Sequence, residues 1–170
     1  MNIVYEQGST GEPWQVSKTG GVSNRSGHTI RYLNRFNIAS DVYRWICDET
    51  NQIPKALNAD KYYAASSLSV VRIYDENAPT AGTTSTDNWT EEYKDKDGRV
   101  VLRRTTSDGS AMMSTYYVYD DLGLLRYVIP PLATITTDGS NNAVLASGDL
   151  ANLCYIYRYD NRQRMVVKKL

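Results

Sequence analysis

An all-β fold of antiparallel hairpins that form an extended curved sheet is predicted for this 170-residue chain by three observations. Apolar residues rarely recur at the three-and-four spacing of a helix, whereas β-branched residues and Tyr alternate with polar residues in many segments. The chain has 14 Tyr against a single Phe, and Tyr suits half-exposed sheet faces, because its ring packs while its hydroxyl reaches water or a partner. Three segments in the second half also repeat one pattern, an aromatic strand, an acidic turn and an apolar, basic strand.

Charge and hydropathy exclude several classes of partner. Lys plus Arg (19) balance Asp plus Glu (19), so no net charge attracts nucleic acid or an anionic membrane surface. No apolar run approaches the roughly 18 residues that a membrane-spanning helix needs. The first five residues, MNIVY, show no signal peptide. We therefore predict neither nucleic-acid binding nor membrane insertion.

Residues 1–87 are predicted to form a β region that precedes the repeats. Residues 5–27 are rich in Gly, Ser, Thr and Asn and predict loops with one short strand. Residues 28–36 and 41–47 each alternate apolar and polar side chains, and a short link, residues 37–40, separates them. We therefore predict that these two segments pair as a hairpin.

The rest of this region predicts one more strand and a linker. Residues 48–61 predict a loop that holds one short turn of helix. Residues 66–74 predict a strand in which Leu68, Val70 and Tyr74 share a face. Residues 78–88 (APTAGTTSTDN) have the composition of a linker, so we place the boundary between the two regions after residue 87.

Residues 88–170 are predicted to hold three hairpin repeats. These are residues 92–103 (EYKDKDGRVVLR), 117–127 (YVYDDLGLLRY) and 157–167 (YRYDNRQRMVV). Asp, Asn and Gly accept the backbone angles of a tight turn, and Gly98 and Gly123 are expected to supply a positive φ. One such hairpin cannot bury a tyrosine face by itself, so we expect the repeats to add edge to edge and to stack their rings into ladders.

The middle segment carries a family resemblance. Residues 117–125 (YVYDDLGLL) resemble the YxYDxxGRL core motif of the bacterial RHS/YD-repeat proteins, with Leu124 where the family usually has Arg. The third segment fits with Gln163 in place of Gly, and the first fits with a turn one residue shorter. The residues that match the repeat motif are Tyr93, Gly98, Tyr117, Tyr119, Asp120, Gly123, Tyr157, Tyr159 and Asp160.

The resemblance implies a structural role in a large secreted or cell-surface protein. Repeats of this family wind into a hollow β-shell, which encloses a C-terminal toxin or presents a variable C-terminal module. This chain is then expected to be a fragment that covers an N-terminal β region and the first repeats. Its partners are expected to be the remaining repeats and the C-terminal module of the same parent chain. Related repeats in animal teneurins belong to cell-surface adhesion proteins.

We expect no catalytic site, no metal site and no cofactor. His28 is the only histidine available as a base for Cys47 or Cys154, and the two cysteines have no metal-ligand spacing, so we expect no disulfide or zinc site. Residues 95–98 (DKDG) imitate part of a calcium-binding EF-hand loop. If Gly98 is the sixth position of that loop, Tyr93 and Arg104 stand where carboxylates are required, and the motif fails.

The tyrosines of the third segment leave two interpretations open, glycan binding and packing within the sheet. Tyr155, Tyr157 and Tyr159 lie two residues apart and share a face of a strand. They are candidates for glycan stacking, which favours a carbohydrate-binding or adhesive surface module, but cross-strand packing with Arg over the rings explains the same pattern. A repeat array that ends in an open strand also predicts self-association through exposed edges.

Overall fold

The computed structural model describes residues 4–8, 15–17, 29–48, 53–74, 89–106 and 112–169, and side chains from Tyr32 onward. The all-β prediction is confirmed, because strands dominate these ranges. The strands are β1 (Val4–Gly8), β2 (Gln15–Ser17), β3 (Thr29–Phe36), β4 (Ile46–Asp48), β5 (Ile53–Lys55), β6 (Ser69–Tyr74), β7 (Trp89–Lys94), β8 (Val100–Thr106), β9 (Met113–Tyr119), β10 (Leu125–Ile129), β11 (Ile135–Thr137), β12 (Ala143–Leu145), β13 (Tyr155–Tyr159) and β14 (Met165–Lys169). A 3-10 turn (Asn58–Asp60) and one short helix, α1 (Asp149–Asn152), complete the described elements.

One antiparallel sheet of ten strands organises the molecule. Its order is β14-β13-β10-β9-β8-β7-β6-β3-β1-β2. The three predicted repeats form the hairpins β7–β8, β9–β10 and β13–β14, called here the first, second and third hairpins. β6 pairs with the whole of β7, so the strands of the N-terminal region and those of the repeats share one sheet.

A smaller layer covers one face of the sheet, called here the inner face. It consists of the hairpins β4–β5 and β11–β12, which come from the connections between β3 and β6 and between β10 and β13. Ala56 and Ala143 join the two hairpins by reciprocal backbone hydrogen bonds of 2.9 and 2.8 Å. Each hairpin is a two-stranded sheet, and this bridge joins the two into one layer.

The core lies between the two layers. Cross-strand register places Val70, Tyr93, Leu102 and Tyr116 side by side on the inner face, and all four are buried. Trp45 of the smaller layer meets Tyr116 edge to face at 6.0 Å between ring centroids. Alternate residues of each strand therefore supply the core, as the period of a strand requires. The buried hydrophobic residues are Val42, Trp45, Ala56, Leu68, Val70, Tyr93, Val101, Leu102, Tyr116, Val118, Tyr127, Ile129, Ala143 and Cys154.

The hairpin predicted from residues 28–36 and 41–47 is wrong. β3 pairs with β6 instead, while β4 pairs with β5. Asn37 explains the difference, because its buried side chain accepts a hydrogen bond from Leu68 N (2.8 Å) and donates one to Ala64 O (2.8 Å). The amide thus joins the end of β3 to the start of β6, and the chain between them leaves the sheet to build the second layer.

Other expectations for the N-terminal region are confirmed in part where the structure describes them. The strand predicted over residues 66–74 is β6, and Leu68, Val70 and Tyr74 are all buried. The turn of helix expected within residues 48–61 is the 3-10 turn, although the short strand β5 in the same stretch was not predicted. Residues 5–27 hold parts of two strands, β1 and β2, rather than one. The linker predicted at residues 78–88 and His28 lie outside the described residues.

Candidate functional site

The three repeat turns have one geometry, in which an aspartate closes the loop. In the second hairpin, Asp120 Oδ1 accepts hydrogen bonds from Leu122 N (3.1 Å) and Leu124 N (2.8 Å). Asp120 and Leu124 also pair through their backbones, and Gly123 takes a φ of 78°. The same contacts surround Asp95 in the first hairpin and Asp160 in the third. We call Asp95, Asp120 and Asp160 the turn aspartates.

The position of the positive φ is also shared. Gly98 has a φ of 79° and Gly123 one of 78°, as expected from the sequence, while Gln163 takes the same position with 61°. The sequence alignment with a shorter first turn is wrong, because all three turns place this residue three after the turn aspartate. The first hairpin differs in the position of its tyrosine. Tyr93 stands two residues before Asp95 and faces the core, whereas a tyrosine directly precedes the turn aspartate in the other two hairpins.

A second shared feature is an extra residue in the returning strand. The register skips Val101 in the first hairpin, Arg126 in the second and Val166 in the third. Each lies six residues after its turn aspartate. A β-bulge at a fixed position indicates one hairpin design used three times.

Arginines at the turns of the first and second hairpins contact the hairpin that follows. Each turn aspartate holds one arginine through its second carboxylate oxygen, Arg99 at 2.8 Å, Arg126 at 2.6 Å and Arg164 at 2.8 Å. We call these the turn arginines. The Arg99 guanidinium lies 5.2 Å from the centre of the Tyr119 ring, and the Arg126 guanidinium lies 5.4 Å from that of Tyr159. The cation–π contact therefore joins successive hairpins.

The hydroxyl groups of the same tyrosines complete the link. Tyr119 donates to the backbone carbonyl of Val100 at 3.0 Å, and Tyr159 donates to that of Leu125 at 3.0 Å. Both carbonyls lie five residues after a turn aspartate. We call this unit a clasp: a turn aspartate, its arginine and the nearby carbonyl from one hairpin, and a tyrosine from the next. Two clasps are present among the described residues, one between the first and second hairpins and one between the second and third.

The predicted ladder of stacked tyrosine rings is not what the register produces. Tyr117 and Tyr155 lie in one cross-strand row, but Val128 of β10 stands between them. Between hairpins, Tyr119 and Tyr159 contact arginine side chains in the clasps rather than other tyrosine rings.

A fourth turn of this kind occurs in the smaller layer, where sequence analysis did not predict it. Asp138 Oδ1 accepts from Ser140 N (2.9 Å) and Asn142 N (2.9 Å), and Asn141 takes a φ of 61°. Asn142 replaces the arginine and donates to Asp138 Oδ2 at 2.9 Å. The available signal was an Asp followed three residues later by Asn, which tolerates the left-handed region.

A buried ionic cluster stands on the inner face beside the first hairpin. Glu91, 1% exposed, accepts hydrogen bonds from Arg72 Nε (2.7 Å), Arg35 Nη2 (2.8 Å) and the Tyr93 hydroxyl (2.8 Å). Arg104 donates to the same hydroxyl at 2.9 Å and pairs with Asp41. Burial raises the pKa of Tyr93 well above its ordinary value, so this phenol stays neutral.

This cluster ties four strands and the smaller layer together. It was not predicted, because Glu91 and Arg104 looked like ordinary polar positions of an alternating strand. All its described charges have partners, although Arg104 Nε is buried without one. We interpret the cluster as structural, because the Glu91 carboxylate is 1% exposed and is enclosed by two guanidinium groups and a phenol of the protein itself.

A cleft of about 380 Å³ lies between the smaller layer and the third hairpin. Its lining includes Cys47, Arg126, Tyr127 and Arg158. Burial, and then the neighbouring Cys47, raise the pKa of Tyr127 to about 12. Arg126 is held by Asp120, and the other three residues also have interactions within the protein. These polar groups therefore already serve the fold.

Cys47 and Cys154 do not form a disulfide. Cys154 is buried, and burial, followed by the charge of Asp149, raises its pKa to about 11. A thiol with so high a pKa is a poor nucleophile at neutral pH. No group of three or more His, Cys, Asp or Glu that could hold a metal ion is present within the described ranges. In the same residues, no helix is long and apolar enough to cross a membrane.

The tyrosines proposed for glycan stacking differ in their surroundings. Tyr155 is 39% exposed, whereas Tyr157 and Tyr159 are half-buried. Tyr159 belongs to a clasp, where Arg126 lies against its ring. Only Tyr155 and Tyr157 therefore keep ring surface that no clasp uses.

Comparisons with protein-family models, with curated proteins and with solved structures find no match for this chain. The class of protein that the geometry defines is an antiparallel β protein with a short array of hairpins joined by clasps. The RHS/YD-repeat family stays a prediction from the residues of the repeat motif.

Proposed function

We propose that the chain is a structural piece of an exported RHS/YD-repeat protein, whose hairpins build a β-shell around or in front of a C-terminal effector. The observation that carries this proposal is the clasp. It occurs twice with the same groups, with the carbonyl five residues after the turn aspartate in both and the arginine four residues after Asp95 but six after Asp120, and it positions each hairpin by its neighbour. Nearest-neighbour contacts of this kind are how repeat proteins build an extended structure.

The use of the acidic residues supports a scaffold rather than an enzyme. The three turn aspartates accept backbone hydrogen bonds and hold arginines. Glu91 is enclosed by its own partners. Carboxylates committed in this way stabilise the fold and are not placed to transfer protons to a substrate.

The reading frame of the parent gene tests the proposal. A shell requires further Tyr-Asp hairpins after Leu170, followed by a module of different composition. We expect such hairpins to repeat the clasp residues, with a tyrosine directly before the aspartate and an arginine four or six residues after it. A frame that closes at Leu170, or that continues into an unrelated fold, contradicts the proposal.

A carbohydrate-binding or adhesive module is the second candidate, and the exposure of Tyr155 favours it. A glycan array with the intact chain separates the two functions. Adhesion predicts a specific signal that the double substitution Tyr155→Ala and Tyr157→Ala removes while the thermal melt stays unchanged. Tyr117→Ala, on the same row of the sheet but two strands away, is the matched control. Silence across the array favours the scaffold.

A further inference from the structure

The third hairpin carries half of a clasp. Arg164 is bound to Asp160 in the same way as the other turn arginines, yet its side chain is 69% exposed, against 33% for Arg99 and 27% for Arg126. The turn aspartates show the same trend, with 25% for Asp160 against 2% for Asp120. Arg99 and Arg126 are each covered by a tyrosine of the following hairpin, and the third hairpin has no following hairpin in the structure.

The strand beside this half clasp is open. All five residues of β14 are exposed, including Met165 (52%), Val166 (60%) and Val167 (45%). β14 is also the last strand of the sheet order, so one side of its backbone faces no strand of the described chain. Proteins usually cover, charge or pair such an edge, because it is a template for another strand.

The two interfaces between hairpins define how a strand adds to such an edge. Leu102 of β8 pairs with Tyr116 of β9, and Tyr127 of β10 pairs with Ile156 of β13. In both pairs the first residue lies seven after one turn aspartate and the second lies four before the next. The register between hairpins is therefore the same at the two interfaces, although six residues, 107–112, separate the strands of one pair and 25 residues, 130–154, separate those of the other.

We propose that the β14 edge, with Arg164 and the Met165 carbonyl, is a docking site for an antiparallel hairpin that carries a tyrosine directly before a turn aspartate. The incoming tyrosine stacks on Arg164 and donates its hydroxyl to the Met165 carbonyl. Val167 then pairs with the residue four before the incoming aspartate. The biological source of this partner rests on the proposed function, whereas docking itself is a property of this chain.

A second copy of the chain is a poorer fit for the same edge. Its β7, β9 and β13 strands, which precede turn aspartates, are each paired on both sides. The two edge strands of its ten-stranded sheet, β14 (MVVKK) and β2 (QVS), carry no tyrosine. Edge-to-edge dimerisation therefore leaves Arg164 uncovered.

An extension of the full chain tests the proposal. Leu170 lies ten residues after Asp160, as Thr105 does after Asp95, so a copy of residues 106–129 appended after Leu170 reproduces the connection from β8 to β9. The readout is amide hydrogen exchange of residues 165–169, measured with and without the extension. We expect the edge-facing amides of β14 to exchange at least about tenfold more slowly in the extended chain, because they gain strand partners.

Two matched variants isolate the clasp. Tyr119→Phe in the appended copy keeps the ring and removes only the hydroxyl, so we expect it to lose about fivefold of the added protection. Arg164→Gln in the extended chain removes the stacked cation and is expected to act in the same direction. If the extended chain exchanges as fast as the original, or if neither substitution has an effect, the proposed docking is wrong.

Size-exclusion chromatography of the unextended chain adds a third readout. A monomer with fast-exchanging β14 amides is expected, in place of the self-association that the open edge alone predicts, because a second copy leaves Arg164 uncovered. A concentration-dependent dimer whose β14 amides are already protected overturns the proposal, because a second copy then occupies the edge. Since no downstream sequence is needed, these results are independent of the reading frame that tests the proposed function.

Discussion

The first and third hairpins have the same turn in opposite surroundings. In the first, Tyr93 and Glu91 are buried beneath the smaller layer and β7 is paired on both sides. In the third, Tyr155 and all of β14 are exposed. The turn hydrogen bonds nevertheless agree within 0.1 Å for the backbone pair that closes each loop, 3.0 Å from Asp95 N and 2.9 Å from Asp160 N. The turn is thus encoded locally, whereas its burial depends on its neighbours.

Removal of Glu91 should have the largest effect, because this side chain carries the burial that distinguishes the first hairpin. Glu91→Gln leaves Arg35 and Arg72 half-buried without their anion, and we expect a loss of about 3–5 kcal/mol in the free energy of unfolding. Urea denaturation measures it. Glu92→Gln, one residue along on the more exposed side of β7, is the control and should cost less than about 1 kcal/mol. Equal effects would mean that the cluster does not stabilise the first hairpin.

The turn aspartates test whether burial sets their contribution. Asp120→Ala removes three hydrogen bonds from a side chain that is 2% exposed, and we expect a loss of about 2 kcal/mol. Asp160→Ala should lose clearly less free energy of unfolding, because the Asp160 side chain is 25% exposed. Thermal melts of the two variants provide the comparison. A larger loss at Asp160 would contradict the idea that neighbours determine the contribution.

Asp160 also adds a pH dependence at the acidic end. Its hydrogen bond from Arg164, followed by that from the backbone, lowers its pKa below the ordinary value. The folded state therefore releases this proton more readily than the unfolded state. The resulting stabilisation is present above the ordinary pKa and is lost as the pH falls through the folded-state pKa. Asp160→Asn should flatten that part of the stability curve.

Cys154 tests whether the chain is buried directly before the third hairpin, since this residue precedes β13 and is 2% exposed. Burial raises the pKa of the Cys154 thiol to about 11 from its ordinary 9.0. Because the folded state holds this proton more tightly, stability should fall as the pH rises above 9, by about 1 kcal/mol at pH 10. The difference in pH slope between the native chain and Cys154→Ala isolates this contribution. Identical slopes would mean that the thiol reaches solvent.

The smallest expected effect concerns the third turn. Gln163 has a φ of 61°, which is costly for a residue with a Cβ, so Gln163→Gly should stabilise the protein by less than about 1 kcal/mol. The reverse change, Gly98→Ala, meets no atom within 4 Å and should destabilise through backbone strain by about 1 kcal/mol. Urea midpoints measure both. A destabilising Gln163→Gly would show that the Gln side chain has an unrecognised role.

Sequence patterns predicted the features that depend on local residues. Alternation located β6 and the repeat hairpins, and Gly98 and Gly123 marked the positive φ, because both signals depend on a few neighbouring residues. The pairing of β3 was missed, since it depends on the contact of Asn37 with a backbone about 30 residues away. The Asp138 turn was missed because its Gly precedes the position that needs a positive φ.

The candidate site was predicted only in part. Tyr119, Tyr159, Asp120 and Asp160 were recognised as motif residues, and Arg over tyrosine rings was considered as cross-strand packing. The sequence did not show that the arginine of one turn contacts the tyrosine of the following hairpin. It depends on a register between hairpins that includes a bulge in each returning strand, and a bulge leaves no clear trace in the alternation.

The clasp gives the array a polarity that matters during synthesis on the ribosome. Each hairpin presents its aspartate and arginine first and receives the covering tyrosine from residues that are translated later. An array built this way consolidates from the N-terminus toward the C-terminus, with its most recently synthesised hairpin always the least protected. Growth at one end limits the strand edges that are open at any moment and thereby lowers the risk of mispairing between nascent chains.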